Sequence, residues 1–330
     1  MMIQKVLSIF GILFFSFLVG FAQSESKPAY PVDTSYTIAG QYQKYKKYYP
    51  YLIPVKDETP KGIVEARDLI YATLEETPYG KRELHLDLFH PAKDGKYPVL
   101  VLVHGGGWRA GNKSLQVPMA QLIAKDGFVT VAVEYQLGLE AGYPAAIYNL
   151  KAAIRWLRAN ADKYNIDPNR IAISGCSSGG HLASLVGMTN GIEHFEGTMG
   201  NEAYSSVVQA VIDIDGVVNF MAPISLNKER SDDSPDVQWL GGQFTEVPAI
   251  WKEASPIYWA NEKSVPILFI NSGYPRFHAG QDELIGMYKE WGIYYEVQKF
   301  NVKMHTFWLF HPYMDMTAKD MVDFLQKTLK

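Results

Sequence analysis

Ile171-Ala-Ile-Ser-Gly175-Cys176-Ser177-Ser178-Gly179-Gly180-His181 joins an apolar run to a G-x-S-x-G sequence and then to small, helix-compatible residues. A strand forced to become a helix within a few residues lifts a serine hydroxyl off the sheet edge, at strained backbone angles, where it can act as a nucleophile. Glycines two before and two after remove the Cβ atoms that would collide in so tight a turn. Only Ser177 has both, because Ser178 would need a glycine where Cys176 stands. Cys176 is therefore read as a small buried filler rather than a rival nucleophile.

A serine of this kind needs donors for the developing oxyanion, a base and an acid. His104-Gly105-Gly106-Gly107-Trp108 follows a buried apolar run, and three successive glycines leave backbone N–H groups free to turn toward one point. The expected oxyanion donors are the N–H groups of Gly106, Gly107 and Ser178. Such donors are worth about 2.7–4 kcal/mol each in the transition state. A phosphate cradle is the competing reading of the glycines, but no Lys-Thr or Lys-Ser follows at the required spacing. His104 is read as holding the loop. The base is expected late in the chain, at His305 in Asn301-Val-Lys-Met-His305, with His311 as a packed structural histidine. The acid is expected at Asp282, which keeps the order Ser, Asp, His; Asp213 and Asp215 are its rivals. Arg276 stands in Gly273-Tyr274-Pro275-Arg276, where a carboxylate would be usual. Trp108, Arg276 and His278 are the expected substrate contacts. None of the 8 histidines falls in a metal-ligand motif, so neither metal nor cofactor is expected.

These residues need a sheet to hold them. Runs at 63–74 and 82–89 read as an early antiparallel pair. Continuous apolar runs at 97–104, 128–135, 170–174, 207–214 and 265–270 read as strands buried on both faces, with a last strand at 294–300. Helices are expected at 115–126, 144–164 and 318–329, and Asn165-Ile-Asp-Pro-Asn reads as a turn. Strands alternating with helices imply an α/β fold, a mainly parallel central sheet with helices on both faces. Residues 219–262 interrupt the rhythm and read as a partial cap.

The chain has 330 residues, 47% hydrophobic and 20% charged, which suits one large domain. Its net charge of -4 gives no reason to expect nucleic acid as a partner. Residues 1–22, a basic start and an apolar run ending Gly20-Phe21-Ala22, read as a cleaved export signal. A membrane anchor is the competing reading, since the run approaches spanning length. The expected product is periplasmic or secreted, without stable membrane insertion, and its single cysteine rules out an internal disulfide. Residues 23–61 form a tyrosine-rich arm, with a short helix expected from Gln41 to Tyr49. Its rings are read as packing onto residues 62–330, with sugar stacking as the sharper alternative.

Taken together, His104-Gly-Gly-Gly-Trp-Arg-Ala-Gly, Ala153-Ile-Arg-Trp-Leu-Arg-Ala-Asn and Asp167-Pro-Asn-Arg-Ile-Ala-Ile-Ser-Gly-Cys-Ser-Ser-Gly-Gly-His-Leu-Ala resemble α/β-hydrolase esterases with an HGGG oxyanion loop. The resemblance runs from about Arg82 to the C-terminus and is nearest to bacterial feruloyl-esterase-like and acetylesterase-like carbohydrate esterases. It implies Ser177 as nucleophile and His305 as base. It also implies an acylated oligo- or polysaccharide substrate, xylan or pectin, losing acetyl ahead of feruloyl groups. Arg276 departs from that pattern. A general short-chain carboxylesterase and a catalytically silent carbohydrate-binding relative are the alternatives.

Overall fold

The computed structural model describes residues 30–329, so the expected export signal lies outside the described residues. An 8-stranded sheet organises the chain. Its strands are β1 (Ile63–Leu74), β2 (Arg82–Pro91), β3 (Tyr97–Val103), β4 (Val129–Val133), β5 (Ile166–Cys176), β6 (Ala210–Ile214), β7 (Ile267–Asn271) and β8 (Tyr295–Lys299). They lie in the order β1-β2-β4-β3-β5-β6-β7-β8. The β1/β2 and β2/β4 pairs are antiparallel and every other neighbouring pair is parallel. The expected mainly parallel α/β architecture is therefore present, with the early pair capping one edge.

Alternation along β3 shows how both faces are buried. Val99, Val101 and Val103 belong to one apolar cluster, shared with α3 (Ala145–Ala159) and α4 (Ser178–Met188). Leu100 and Leu102 belong to the other, shared with α2 (Val117–Ala124) and α6 (Tyr313–Thr328). Successive strand side chains point to opposite faces, so an unbroken aliphatic run satisfies two helix layers at once. Each such side chain contributes about 1.5–3 kcal/mol on burial, which makes the sheet a firm platform without any disulfide.

Three local expectations shift. Of Asn165-Ile-Asp-Pro-Asn only Asn165 is turned, at φ 59; the strand starts at Ile166, which pairs with Tyr97, and the register slips before Ile171 pairs with Val99. α6 begins at Tyr313 rather than Ala318, its first turn entered from Pro312 and carrying Asp315. Helix α1 of the arm spans Ile38–Tyr45 instead of 41–49, because Thr37 caps its start by accepting from the Gly40 N–H at 3.0 Å. Residues 219–262 contain short helical turns, at Pro223–Leu226, Pro235–Leu240, Pro248–Glu253 and Pro256–Tyr258. They pin Trp239 and Trp251 into the core. Among the described residues no helix is long and apolar enough to cross a membrane.

The strand-to-helix junction is as tight as the glycine spacing requires. Ser177 sits at φ 57, ψ -121 between β5 and α4, a region that non-glycine residues rarely occupy. A Cβ at Gly175 would collide with the carbonyl of Gly179, and one at Gly179 with the carbonyl of Val103 on the neighbouring strand. Replacing either by alanine forces backbone to move. Gly175→Ala is expected to destabilise by about 1–3 kcal/mol or more, read as a fall in thermal unfolding temperature together with loss of activity.

Candidate active site

Parallel pairing sets the site geometry. β5 and β6 pair Gly175 with Asp213 and Cys176 with Ile214, so the next residues, Ser177 and Asp215, leave the sheet side by side. The Ser177 N–H donates to the Ile214 carbonyl at 2.7 Å. His305, in the loop after β8, closes the gap: its Nε2 lies 2.8 Å from Ser177 Oγ and its Nδ1 2.8 Å from Asp215 Oδ2. In this order Asp215 accepts from Nδ1–H, and the free Nε2 lone pair faces the serine hydroxyl.

Asp282 is not part of this chain. It lies exposed in the first turn of α5 (Gln281–Trp291), beyond the left-handed Gly280. A carboxylate there complements the helix N-terminus. Asp213 is also excluded: it accepts from Ser184 Oγ at 2.7 Å and from the Gly216 N–H at 2.6 Å. Burial raises the Asp213 carboxyl to about 8. It braces the loop that carries Asp215.

Asp215 is closely held. Its Oδ1 accepts from the Ser272 N–H at 2.7 Å and faces His278 Nε2 at 3.2 Å. Burial alone would raise this carboxyl, but the bonds from His278, His305 and Ser272 keep it below the usual carboxylate range. His278 was expected against substrate; instead it touches the outer oxygen of the acid, because the short helical turn Pro275–His278 folds back toward β6. Nothing in its sequence surroundings marks this, since the contact crosses from the β7 loop to the β6 end.

Arg276 remains at the cavity. Its guanidinium lies 4.2 Å from the Phe277 ring centre, and Phe277 stacks on His305 at 3.4 Å with 6° between planes. Trp308 packs edge-on against the imidazole at 5.2 Å. Burial lowers the His305 pKa below 6.5; Asp215 opposes this, while Arg276 and Lys44 add to it. The lowered pKa favours the neutral imidazole that a base requires.

The glycine loop reaches Ser177 from β3. A Cβ at Gly105 would fall 2.6 Å from the Cys176 carbonyl oxygen and 3.1 Å from Ser177 Cβ, so a side chain there would force backbone apart. Gly106 and Gly107 have φ 134 and φ 63. Among the described residues neither N–H donates to a backbone acceptor. Both line the cavity with Ser177 and Ser178, and Ser178 opens α4, where N–H groups have no helical partner. The three expected donors therefore share one cavity beside the serine.

His104 anchors the loop from below. Its Nδ1 donates to the Gly105 carbonyl at 2.9 Å, and its ring stacks on Tyr135. Burial lowers its pKa to about 4, so it stays uncharged. His311 pairs with Asp315 at 2.6 Å, away from the site. A positioning residue that sequence reading missed is His181. It accepts from Trp108 Nε1–H at 3.2 Å and donates from Nε2 to the Ala254 carbonyl at 2.7 Å, tying the helix after the serine to the oxyanion loop and to the 219–262 insertion. Its only sequence signal was its place one turn after Ser177. Trp108 lines the cavity as expected, whereas Trp239, Trp251 and Trp308 are buried in the core.

The cavity is about 960 Å³ and extends from Ser177 to the arm. Tyr36, Tyr45, Tyr48 and Tyr49 line it. Tyr45 is buried as the packing reading expected, but Tyr48 is 65% exposed at the mouth. The arm is a wall of the cavity as well as a packed segment.

With this geometry in place, the fold defines an α/β-hydrolase with a serine–histidine–aspartate arrangement at the strand ends. The chain belongs to the BD-FAE family, which it matches over residues 86–285. It is 31% identical over 175 residues to esterase LipC of Mycobacterium tuberculosis, covering 53% of this chain and 43% of the relative. It is 36% identical over 156 residues to the probable carboxylic ester hydrolase LipM of the same organism, covering 46% and 36%. The chain thus spans less than half the length of these curated relatives. Among solved structures it resembles a truncated carbohydrate esterase from gut microbiota, at 27% identity and TM-score 0.69, covering 83% of this chain and 98% of that one. It also resembles a bifunctional GH43-CE protein of Bacteroides eggerthii, at 27% identity and TM-score 0.68, covering 80% and 38%.

Two outcomes follow. Asp215→Asn is expected to lower kcat by roughly 10⁴-fold, as loss of the orienting carboxylate does elsewhere, and Asp282→Asn to leave it within about twofold; steady-state kinetics on p-nitrophenyl acetate decides between them. The acid limb of kcat/KM is expected below 6.5. Removing the Arg276 cation stabilises the imidazolium, so Arg276→Gln is expected to move that limb to higher pH.

Proposed function

We propose that this chain is an exported serine esterase that removes acetyl groups, ahead of feruloyl groups, from plant-type polysaccharides. The observation that carries the reading is the unbroken Ser177–His305–Asp215 relay facing a large cavity lined by Gly106, Gly107 and Ser178. In the mechanism, His305 takes the Ser177 proton as Oγ attacks the ester carbonyl. The oxyanion is held by the N–H groups of Gly106, Gly107 and Ser178, and Asp215 stabilises the imidazolium. His305 returns the proton to the departing sugar hydroxyl. Water, deprotonated by the same nitrogen, then cleaves the acyl-enzyme and frees Ser177.

The carbohydrate assignment is supported by the likeness to a carbohydrate esterase across nearly all of that protein. It is further supported by tyrosine rings at the mouth, which offer the flat amphipathic faces that sugars stack on. A general short-chain carboxylesterase is the second reading, favoured by the names of the mycobacterial relatives. A catalytically silent relative does not fit, since every triad contact is at hydrogen-bonding distance.

A fluorophosphonate probe is expected to label the protein stoichiometrically at Ser177 and to leave Ser177→Ala unlabelled. Acetate release from acetylated xylan and pectin, measured beside ferulate release from feruloylated arabinoxylan, tests the substrate. Rapid turnover of p-nitrophenyl acetate with no release from any polysaccharide would favour the second reading.

A further inference from the structure

The charge around the cavity opposes that of the whole chain. Five cations line it, Lys44, Lys228, Arg230, Arg276 and Lys303, against two carboxylates, Asp215 and Asp236. The chain as a whole carries -4. Asp215 is committed to His305 and His278. Asp236 is committed to Arg230 at 2.8 Å, with Lys228 at 3.9 Å. Lys44, Arg276 and Lys303 have no carboxylate within salt-bridge distance among the described residues.

These cations come from separate parts of the chain: Lys44 from α1, Lys228 and Arg230 from the 219–262 insertion, Arg276 from the β7 loop and Lys303 from the β8 loop. Converging like charges on one concavity costs self-repulsion that a neutral ligand does nothing to relieve. Their depth also matters. Trp108 and Phe220, beside the oxyanion loop, are 8% and 1% exposed, whereas Lys44, Lys228, Arg276 and Lys303 are exposed at the mouth. The buried aromatic wall suits a small apolar acyl group at Ser177, which leaves the exposed cations of the mouth for the alcohol side of the ester. Burial holds Lys228 below its ordinary pKa; Asp236 opposes this, while the nearby Arg230 and Arg276 add to it.

Building on the carbohydrate-esterase reading, we propose that the preferred substrate is an acylated saccharide bearing carboxylates, a uronate-containing chain whose anionic groups are bound at the mouth by Lys44, Arg276 and Lys303. The tyrosines of the arm supply stacking surfaces for its rings, and the cavity of about 960 Å³ is large enough for more than the single acylated unit.

The test compares acetate release from O-acetylated oligogalacturonate with release from its carboxyl-reduced, neutral counterpart, at low and high salt. The expected result is a preference of at least about tenfold in kcat/KM for the acidic chain at low salt, collapsing as salt screens the charges. The acidic-to-neutral ratio is expected to fall toward one in Lys44→Gln/Lys303→Gln. Both positions are exposed, and circular dichroism verifies folding. Equal rates on the two chains, or an unchanged ratio in the variant, would overturn the proposal while leaving the carbohydrate reading intact. Faster cleavage of p-nitrophenyl succinate monoester than of the acetate would place the anion on the acyl side and also overturn it. Failure to release acetate from either chain, with p-nitrophenyl acetate still cleaved, would sink both readings together.

Discussion

A buried carboxylate is tolerated only when its oxygens are fully engaged, and Asp215 is the charge around which this molecule arranges its ends of strands. Oδ2 meets His305, while Oδ1 meets His278 and the Ser272 N–H. Those contacts draw the loops after β7 and β8 toward β6. Removing the acid would leave two imidazoles and a backbone N–H without their acceptor, so its role in orienting the base cannot be separated from its role in closing the sheet edge.

The nucleophile is held by a different means. Ser177 keeps its strained φ because three backbone segments crowd around it: β3 and the Gly105 loop that follows it, β6 through the Ile214 carbonyl, and α4 through its first turn, where Gly179 abuts the Val103 carbonyl. His181 adds a side-chain tie from α4 to Trp108 and Ala254. Strain at the serine, donors in the glycine loop and the wall of the 219–262 insertion are thereby parts of one packed unit. The stack of Arg276, Phe277 and His305 extends that unit to the cavity mouth. A single arginine there both tunes the base and presents charge to whatever enters.

Much of this was legible from residue types and spacing alone. The apolar runs identify the strands because burial on both faces demands them, and β1 spans 63–74 as its composition requires. Ser177, His305 and the glycine loop follow from backbone sterics and chain order, which are local properties. The helix expected at 41–49 starts earlier because Thr37 caps it, and the turn expected at 165–169 is confined to Asn165 because Ile166 already pairs with Tyr97.

The sequence by itself singled out Ser177 and the glycine loop, because a G-x-S-x-G turn and successive glycines constrain the backbone wherever they occur, and His305 by its place late in the chain. It left the acid open between Asp213, Asp215 and Asp282, since all three lie between Ser177 and His305. Only the tertiary structure decided. β6 is the hydrogen-bonded neighbour of β5, and its register sets Asp215 level with Ser177, while Asp282 begins a helix on the solvent side of a left-handed glycine. The same is true of the cations at the mouth. Dispersed along the chain they look like ordinary surface charge, and only the packing of the arm, the insertion and two loops gathers them around one cavity.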